Sequence, residues 1–265
     1  MPLSFRKNGT LCALLYLCLP LTAHAIDPQL EACIRKNEPE TSAIQQIEMR
    51  SIDRAGYEKV LVADIYLKRF ADETSRLIAY FREPDDIIGT RLLVIEKPPA
   101  NEMYVYMPSL FKIRRISSKR IASSMYGSDF SYEDIERFYG MLSSEQPAQL
   151  PDEQLDGIPM HVLESRPAAG SGSKYESVVA YFDQQDCVIR RVDFFETEKK
   201  LRKQLVADAG SIASVGSIHL PREFTMTDLR SKTETHLSIR KVEFDVALDE
   251  EMFHHERLKE FRGIR

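Results

Sequence analysis

The sequence predicts an α+β protein that is mainly β and is built on a strongly curved antiparallel sheet. About eleven segments show the apolar–polar alternation or the short apolar runs that favour strands. These segments follow one another at short spacing, and helical patterns are confined mainly to the N-terminus and to one central stretch. Because the apolar face of a sheet must be covered, we expect the sheet to wrap over a few helices.

The first 25 residues have the pattern of a secretory signal. Arg6 and Lys7 precede a short apolar run over 11–21, and Ala23-His24-Ala25 is a small-x-small cleavage site. The apolar run is too short for a membrane span, which needs about 20 residues. We therefore expect export to the periplasm, cleavage after Ala25, and a single domain over 26–265.

The charge of the chain disfavours nucleic-acid binding. The full sequence has 36 basic and 41 acidic residues, for a formal net charge of −5. The segment 1–25 carries two of the basic residues and none of the acidic ones, so the remainder has a formal net charge of −7. Phosphate backbones are bound through lysine and arginine, and an acidic chain lacks that surplus.

The cysteines predict one disulfide. Cys12 and Cys18 belong to the segment 1–25, which leaves Cys33 and Cys187 in the exported chain. Cys18 is not preceded by a small residue, so a lipoprotein signal is disfavoured. An even pair in an oxidising compartment favours a bridge, here between an N-terminal helix and a late strand. Two buried free thiols are the alternative.

The N-terminal part reads as one helix followed by strands. Asp27 is a suitable N-cap and Pro28 a suitable first residue for a helix that reaches residue 37. The strands predicted next are 44–53, 58–70, 75–82 and 91–96. In 75–82 both alternating sets are largely apolar, which is typical of a strand that is covered on both faces or lines a cavity.

The C-terminal part is predicted to be almost entirely strand. Residues 143–157 are rich in Pro, Gln, Asp and Glu and indicate an exposed connection, and 167–173 is a loop of small residues. The predicted strands are 159–164, 174–182, 188–196, 199–206, 211–215, 218–229 and 234–246, before a helical turn at 250–257. In 234–246 the apolar residues change phase, which a bulge near Arg240-Lys241 would reconcile.

The central stretch 103–137 holds the most specific pattern. A strand over 103–107 is stopped by Pro108, and a second strand with a charged face follows. Gly127 is expected at positive φ in the loop 126–130. Ser131 is a plausible N-cap for a short helix, with Asp134 three residues later in the position of a capping box.

This stretch resembles the outer-membrane lipoprotein-sorting proteins, a family of bacterial envelope proteins related to the LolA carrier. The residues that carry the resemblance are Tyr106, Pro108, Leu110, Lys112, Arg114, Arg115, Ile116, Gly127, Ser128, Asp129, Phe130, Ser131, Tyr132, Glu133 and Asp134. A weaker resemblance extends from Asp27 to the C-terminus. It implies an open half-barrel with helices as a plug or lid, and a hydrophobic cavity between sheet and lid.

Nine residues are candidates for lining that cavity and binding acyl chains. They are Tyr66, Leu77, Tyr80, Leu93, Tyr104, Tyr106, Phe130, Phe182 and Phe194. We predict no catalytic residues, metal or cofactor. Gly170-Ser171-Gly172-Ser173 lacks the closing glycine of a nucleophile elbow, and the neighbouring His254 and His255 do not share a helix face.

The basic group Lys112, Arg114, Arg115, Lys119 and Arg120 has two interpretations. It is either a docking face for acidic headgroups or for an acidic partner at the membrane. Alternatively it is a solvated strand face with one arginine, most readily Arg115, paired to Asp129 or Glu133.

The resemblance implies a periplasmic carrier for the acyl chains of a lipid or lipoprotein. An inner-membrane exporter of the resistance-nodulation type would be the partner, membrane contact would be transient, and the protein would be a monomer. The alternative is a lipid-sensing or adaptor module that regulates a membrane partner without transport.

Overall fold

A computed structural model describes residues 26–142 and 145–263. The predicted signal segment and its cleavage site lie outside the described residues. Within them the chain forms two helices, α1 (Pro28–Arg35) and α2 (Tyr132–Phe138), and fifteen strands. The strands are β1 (Ser42–Ile52), β2 (Glu58–Arg69), β3 (Ser75–Glu83), β4 (Arg91–Ile95), β5 (Glu102–Met107), β6 (Lys112–Ile116), β7 (Ala148–Leu155), β8 (Ile158–Ser165), β9 (Ser177–Asp183), β10 (Ile189–Glu196), β11 (Lys200–Ala207), β12 (Ile212–Val215), β13 (Ile218–Pro221), β14 (Glu223–Asp228) and β15 (Thr233–Phe244).

Thirteen of these strands form one antiparallel sheet. Its order is β6-β5-β4-β3-β2-β1-β15-β14-β11-β10-β9-β8-β7, and β12 and β13 form a separate two-stranded ribbon. The sheet is curved but does not close into a barrel, so β6 and β7 are free edges. The predicted fold class, a mainly β open half-barrel with few helices, is confirmed.

Both faces are covered in the first half of the sheet. We call the face that packs against α2 the inner face and the opposite one the outer face. In β3, Leu77 and Phe81 belong to the inner apolar cluster, whereas Ile78 and Tyr80 belong to an outer one. The outer cluster of the first half of the sheet is closed by Leu248, Met252, Phe253, Leu258 and Phe261 of the C-terminal segment. The prediction that this strand is covered on both faces is confirmed.

Helix α1 begins and is fixed as the sequence indicates. Oδ1 of Asp27 accepts a hydrogen bond of 2.8 Å from the N–H of Gln29, and Pro28 opens the helix. Cys33 and Cys187 form the predicted disulfide across 154 positions. Cys187 lies in the turn before β10 rather than in a strand. The bridge therefore ties α1 to the second half of the sheet.

Two strand predictions are wrong. The segment 143–157 contains the edge strand β7, in which Pro151 and Asp152 form a bulge opposite His161 of β8. Proline is tolerated at a bulge on an edge, where no ladder hydrogen bond is required of it. The segment 218–229 is not one strand, because Arg222 separates β13 from β14, and its N–H bonds to the carbonyl of Ser211 instead of to a strand neighbour in the main sheet.

The predicted bulge in β15 is confirmed. Gln46 of β1 pairs with Lys241 and Ile47 pairs with Ile239, so Arg240 is the extra residue. The predicted terminal helical turn is present as two short 3₁₀ turns, Glu250–Phe253 and His255–Arg257. Among the residues described, no helix is both long and apolar enough to cross a membrane.

Candidate functional site

The central motif fastens α2 to the sheet at two points. The first is Asp129, whose carboxylate accepts hydrogen bonds from the hydroxyls of Thr233 (2.5 Å) and Thr235 (2.8 Å) on β15. The loop before it turns at Gly127, whose φ of +87° confirms the prediction of a left-handed glycine. The motif is therefore an anchor between the loop and the middle of the sheet.

The second point is Asp134, which is buried. Its side chain accepts from Nζ of Lys203 on β11 (2.7 Å), from the hydroxyl of Tyr175 (2.8 Å) and from the N–H of Ser131 (2.7 Å). The last of these bonds completes the predicted capping box. Burial, and then the charge of Asp134, raises the pKa of Tyr175 far above its ordinary value, so the phenol stays protonated and acts as a donor.

Helix α2 covers the inner face with apolar side chains. Ile135 is buried in the inner cluster together with Phe130, which lies just before the helix. The ring of Phe138 packs 5.1 Å from that of Phe224, centroid to centroid. The predicted cavity residues Leu77 and Phe194 lie in the same cluster. In this arrangement α2 occupies part of the apolar surface that the sheet offers.

Beside α2 lies a cleft of about 450 Å³ whose lining is both polar and apolar. Its walls are the segments 99–101 and 115–118, one side of α2 with the residues after it, and the loop 168–173. Gly172 of that loop lies against the backbone of the opposite wall, since a Cβ added there would be 2.2 Å from the carbonyl oxygen of Ser118. The loop of small residues is thus a wall of the cleft.

Ionisable side chains line this cleft. Arg137 and Glu145 form a nearly fully buried ion pair with two hydrogen bonds, of 2.9 and 2.5 Å. Asn101 donates to Glu136 (2.9 Å), and burial raises the pKa of Glu136 to about 7. Burial also raises the pKa of Glu133. Such a lining offers ionisable groups to a small polar molecule.

The structure does not bring the nine predicted acyl-binding residues together. Leu77, Phe130 and Phe194 are on the inner face, and Phe182 packs with α1 near the disulfide. The other five, Tyr66, Tyr80, Leu93, Tyr104 and Tyr106, lie in the outer cluster under the C-terminal segment. Side-chain alternation along β2 to β5 is the physical reason, because neighbouring residues point to opposite faces. An acyl-binding role for any of the nine remains a prediction.

The basic group lies on an exposed strand edge. All five of its members are exposed on β6 and the turn after it. Arg115 pairs with Glu102 at 3.4 Å, not with Asp129 or Glu133. Asp129 is occupied by two threonines, and Glu133 lies buried beside the cleft. The expectation that an arginine of this group pairs with the motif is therefore wrong for Arg115.

Several residues of the site have no sequence signal. Lys203 and Tyr175 are 69 and 41 positions from Asp134, and nothing in their local pattern marks them as its partners. Glu133, four residues before Arg137 on the helix, is the ion-pair partner that local spacing would suggest, yet Arg137 pairs with Glu145 beyond the helix. Of the described residues, no group of three or more His, Cys, Asp or Glu could hold a metal ion.

The fold is similar to those of three solved structures. The structure matches an outer-membrane lipoprotein-sorting domain from Vibrio parahaemolyticus with a TM-score of 0.76 and 22% identity, over 87% of this chain and 97% of that one. It matches a DUF1329 family protein from Desulfovibrio piger with a TM-score of 0.78 and 24% identity, over 87% and 96%. A LolA superfamily protein from Nitrosomonas europaea gives 0.70 and 19%, over 87% and 98%.

The family follows from a separate comparison. Residues 73–260 match the model of a family described as an uncharacterized protein, and the chain belongs to that family. The search of curated proteins found no match. The resemblance predicted from the central motif is confirmed for the fold.

Proposed function

We propose that this protein is a periplasmic carrier that binds the acyl chains of a lipid or lipoprotein and moves them between membranes. The observation that carries the proposal is an open sheet whose apolar inner face is covered, in its centre, by one helix of seven residues. The same fold occurs in the lipoprotein-sorting domain and in the LolA superfamily protein.

The energetic argument rests on hydrocarbon burial. Each CH₂ group withdrawn from water contributes about 0.8 kcal/mol. A long acyl chain therefore needs an apolar shelter to cross an aqueous space, and it needs no reaction. Accordingly we propose binding without catalysis. Turnover of a lipid ester that a single substitution abolishes would contradict this part.

Residues 126–142 are the lid in this proposal. For an acyl chain to reach the inner face, Ile135 and Phe138 must give up contacts that the chain then replaces. The contacts that oppose the movement are polar, namely Asp134 with Lys203 and Asp129 with the two threonines. Apolar contacts are thus exchanged for similar ones, and the polar anchors set the free energy of opening.

Transient membrane contact is assigned to the hairpin tip between β5 and β6. Phe111 is 85% exposed and Leu110 46% exposed, and Lys112 and Arg114 follow directly. An apolar tip beside cations suits an anionic membrane surface. An inner-membrane exporter of the resistance-nodulation type is the proposed partner there. The disulfide supports a periplasmic location, because such bonds persist in oxidising compartments.

The experiment is to isolate the exported protein from periplasm and extract it for lipid mass spectrometry. We expect a co-purifying acyl compound and saturable binding of a fluorescent fatty acid. Lys203→Ala should speed uptake of that probe relative to the control variant Lys199→Ala. The control removes an exposed lysine that lies four positions earlier in the chain. Absence of both extracted lipid and probe binding would contradict the proposal. Recovery of one regulatory membrane protein in that case would favour the alternative, a sensing or adaptor module.

A further inference from the structure

The cleft beside α2 contains a carboxylate that lacks a hydrogen-bond donor among the described residues. Glu133 is only 1% exposed and lies in the wall of the cleft. Neither of its carboxylate oxygens has a hydrogen-bond partner among the described residues. The Ser173 hydroxyl and the Lys174 N–H lie close enough to lower its pKa partly, but neither reaches hydrogen-bonding geometry.

The other charges of the cleft, within the part of the chain described, already have partners. Both terminal nitrogens of Arg137 bond to Glu145. Glu136 accepts from Asn101, and Arg115 pairs with Glu102. Nε of Arg137 has no hydrogen-bond partner, and the charge of Arg137 partly lowers the pKa of Glu133, but its ion pair is with Glu145 and not with Glu133.

Leaving an ionised carboxylate buried and unpaired costs several kcal/mol. The cost disappears if the group is protonated or if a cation from outside binds to it. The cleft, at about 450 Å³, has the size of a small-molecule site rather than of a bare ion. Ca²⁺ takes six to eight oxygen ligands, which Glu133 and Glu136 do not supply.

We infer that this cleft binds a protonated primary amine, with Glu133 as the group that accepts its N–H donors. An alkylammonium carries three donors and no acceptor, which complements two oxygens that lack donors. Hydroxyls of Ser117, Ser171 and Ser173 and the apolar side chain of Met141 also line the cleft and suit the remainder of a small organic molecule. The amine is that of an aminolipid headgroup or of a free soluble amine, which share this chemistry.

Binding has a measurable proton signature. Burial raises the pKa of Glu133, so a proton occupies the empty site more readily than it would an exposed glutamate. An incoming ammonium favours the ionised form and displaces that proton. The heat of binding should therefore depend on the ionisation enthalpy of the buffer in the wild-type protein.

The test is calorimetry of the full exported protein with three probes. Glycerophosphoethanolamine and ethanolamine should bind and release a proton, and glycerophosphocholine, which has no N–H, should bind about tenfold more weakly or not at all. Tighter binding of glycerophosphoethanolamine than of ethanolamine identifies a headgroup as the source, and equal binding identifies a free amine.

Glu133→Gln should lose about tenfold or more in affinity. It should also lose the part of the proton release that comes from Glu133, and Glu136, whose pKa is about 7, supplies the remainder. Glu256→Gln, at an exposed glutamate of the C-terminal segment, should leave both unchanged. Failure of both amines to bind, equal binding of the choline probe, or unchanged binding by Glu133→Gln would overturn the inference. The choline comparison needs no variant, so it holds even if Glu133→Gln folds poorly. Fatty-acid binding on the inner face is a separate measurement, and its outcome does not decide this one.

Discussion

Nζ of Lys203 on β11 lies 2.7 Å from Oδ2 of Asp134 on α2, and both side chains are shielded from solvent. This ion pair links α2 directly to the second half of the sheet. Lys203→Met should lower the free energy of unfolding by about 3–5 kcal/mol, because it leaves the Asp134 carboxylate buried without its cation. Urea denaturation followed by circular dichroism measures the change.

The matched control for that prediction is the double variant Lys203→Met with Asp134→Asn. Removing both charges leaves no uncompensated ion, so the double variant should be more stable than Lys203→Met alone. If the losses of Lys203→Met and of Asp134→Asn, each measured alone, simply add in the double variant, the pair is not coupled and the prediction is contradicted.

Gly172→Ala should destabilise the wall of the cleft through a steric contact. The new Cβ would lie 2.2 Å from the carbonyl oxygen of Ser118, and φ is +88° at this position. We expect a loss of roughly 1–3 kcal/mol in unfolding free energy. Gly216→Ala is the control, because it also has positive φ but no atom within 4 Å of the added Cβ. Equal losses in both variants would show that the contact with Ser118 contributes nothing.

Stability should depend on pH through Glu136. Burial raises its pKa from about 4.5 to about 7, so the folded state binds this proton more tightly than the unfolded state does. The contribution is present below about pH 4.5 and is lost as the pH rises toward about 7, by up to roughly 3 kcal/mol. Burial raises the pKa of Glu133 as well, so it acts in the same direction.

Glu136→Gln isolates the contribution of Glu136 to the pH dependence of stability. The variant should show a flatter dependence of unfolding free energy on pH between about pH 5 and about pH 8 than the wild type. Urea titrations at several pH values in that range are sufficient. The sign of the prediction would be contradicted if, between about pH 5 and about pH 8, the unfolding free energy of the wild type rose relative to that of Glu136→Gln.

The disulfide should stabilise the chain by constraining its unfolded state. Cys33 and Cys187 are 154 positions apart, and chain entropy then gives about 4–5 kcal/mol as an upper figure. Replacing both cysteines with serine should lower the unfolding free energy toward that limit. Reductant should lower the stability of the wild type but leave the double variant unchanged, and two alkylatable thiols in the native protein would refute the bridge.

Phe111 should contribute to membrane contact. Phe111→Ser should weaken binding to phosphatidylcholine vesicles that contain phosphatidylglycerol by up to about tenfold, since an inserted aromatic ring is worth 1–2 kcal/mol or so. Tyr57→Ser changes another strongly exposed aromatic residue, in the turn between β1 and β2. Sedimentation of vesicles measures the binding. An equal effect of both substitutions would contradict a specific role for the tip.

Local sequence patterns predicted most of the fold but only part of the candidate site. The cap at Asp27, the capping box at Ser131 and the bulge near Arg240 all involve residues close in sequence, and each was predictable. The partners of Asp134 come from distant strands, and their meeting depends on the order of strands in the sheet. That order is set by the packing of the whole chain, so no local pattern contains it.

The assignment of the aromatic residues failed for a related reason. Alternation shows that Tyr80 and Phe81 point in opposite directions, but it does not say which direction is inward. In the first half of the sheet the outer face is also apolar, and it packs against residues near the C-terminus that are distant in sequence. The polar composition of 143–157 likewise led to the prediction of a connection where β7 lies. This strand is at an edge of the sheet and pairs with one neighbour, β8.

The bulge in β15 bears on which changes of chain length this protein tolerates. Every other residue around it keeps its own partner on β1, from Ile239 with Ile47 to Lys241 with Gln46. Shortening the chain by Arg240 would therefore produce a regular ladder in which all of those pairings survive. The loss would be confined to the bonds of Arg222 to the Arg240 carbonyl and of the Arg240 guanidinium to Glu48. Removing any residue from the regular part of β15 would instead turn its following side chains to the wrong side.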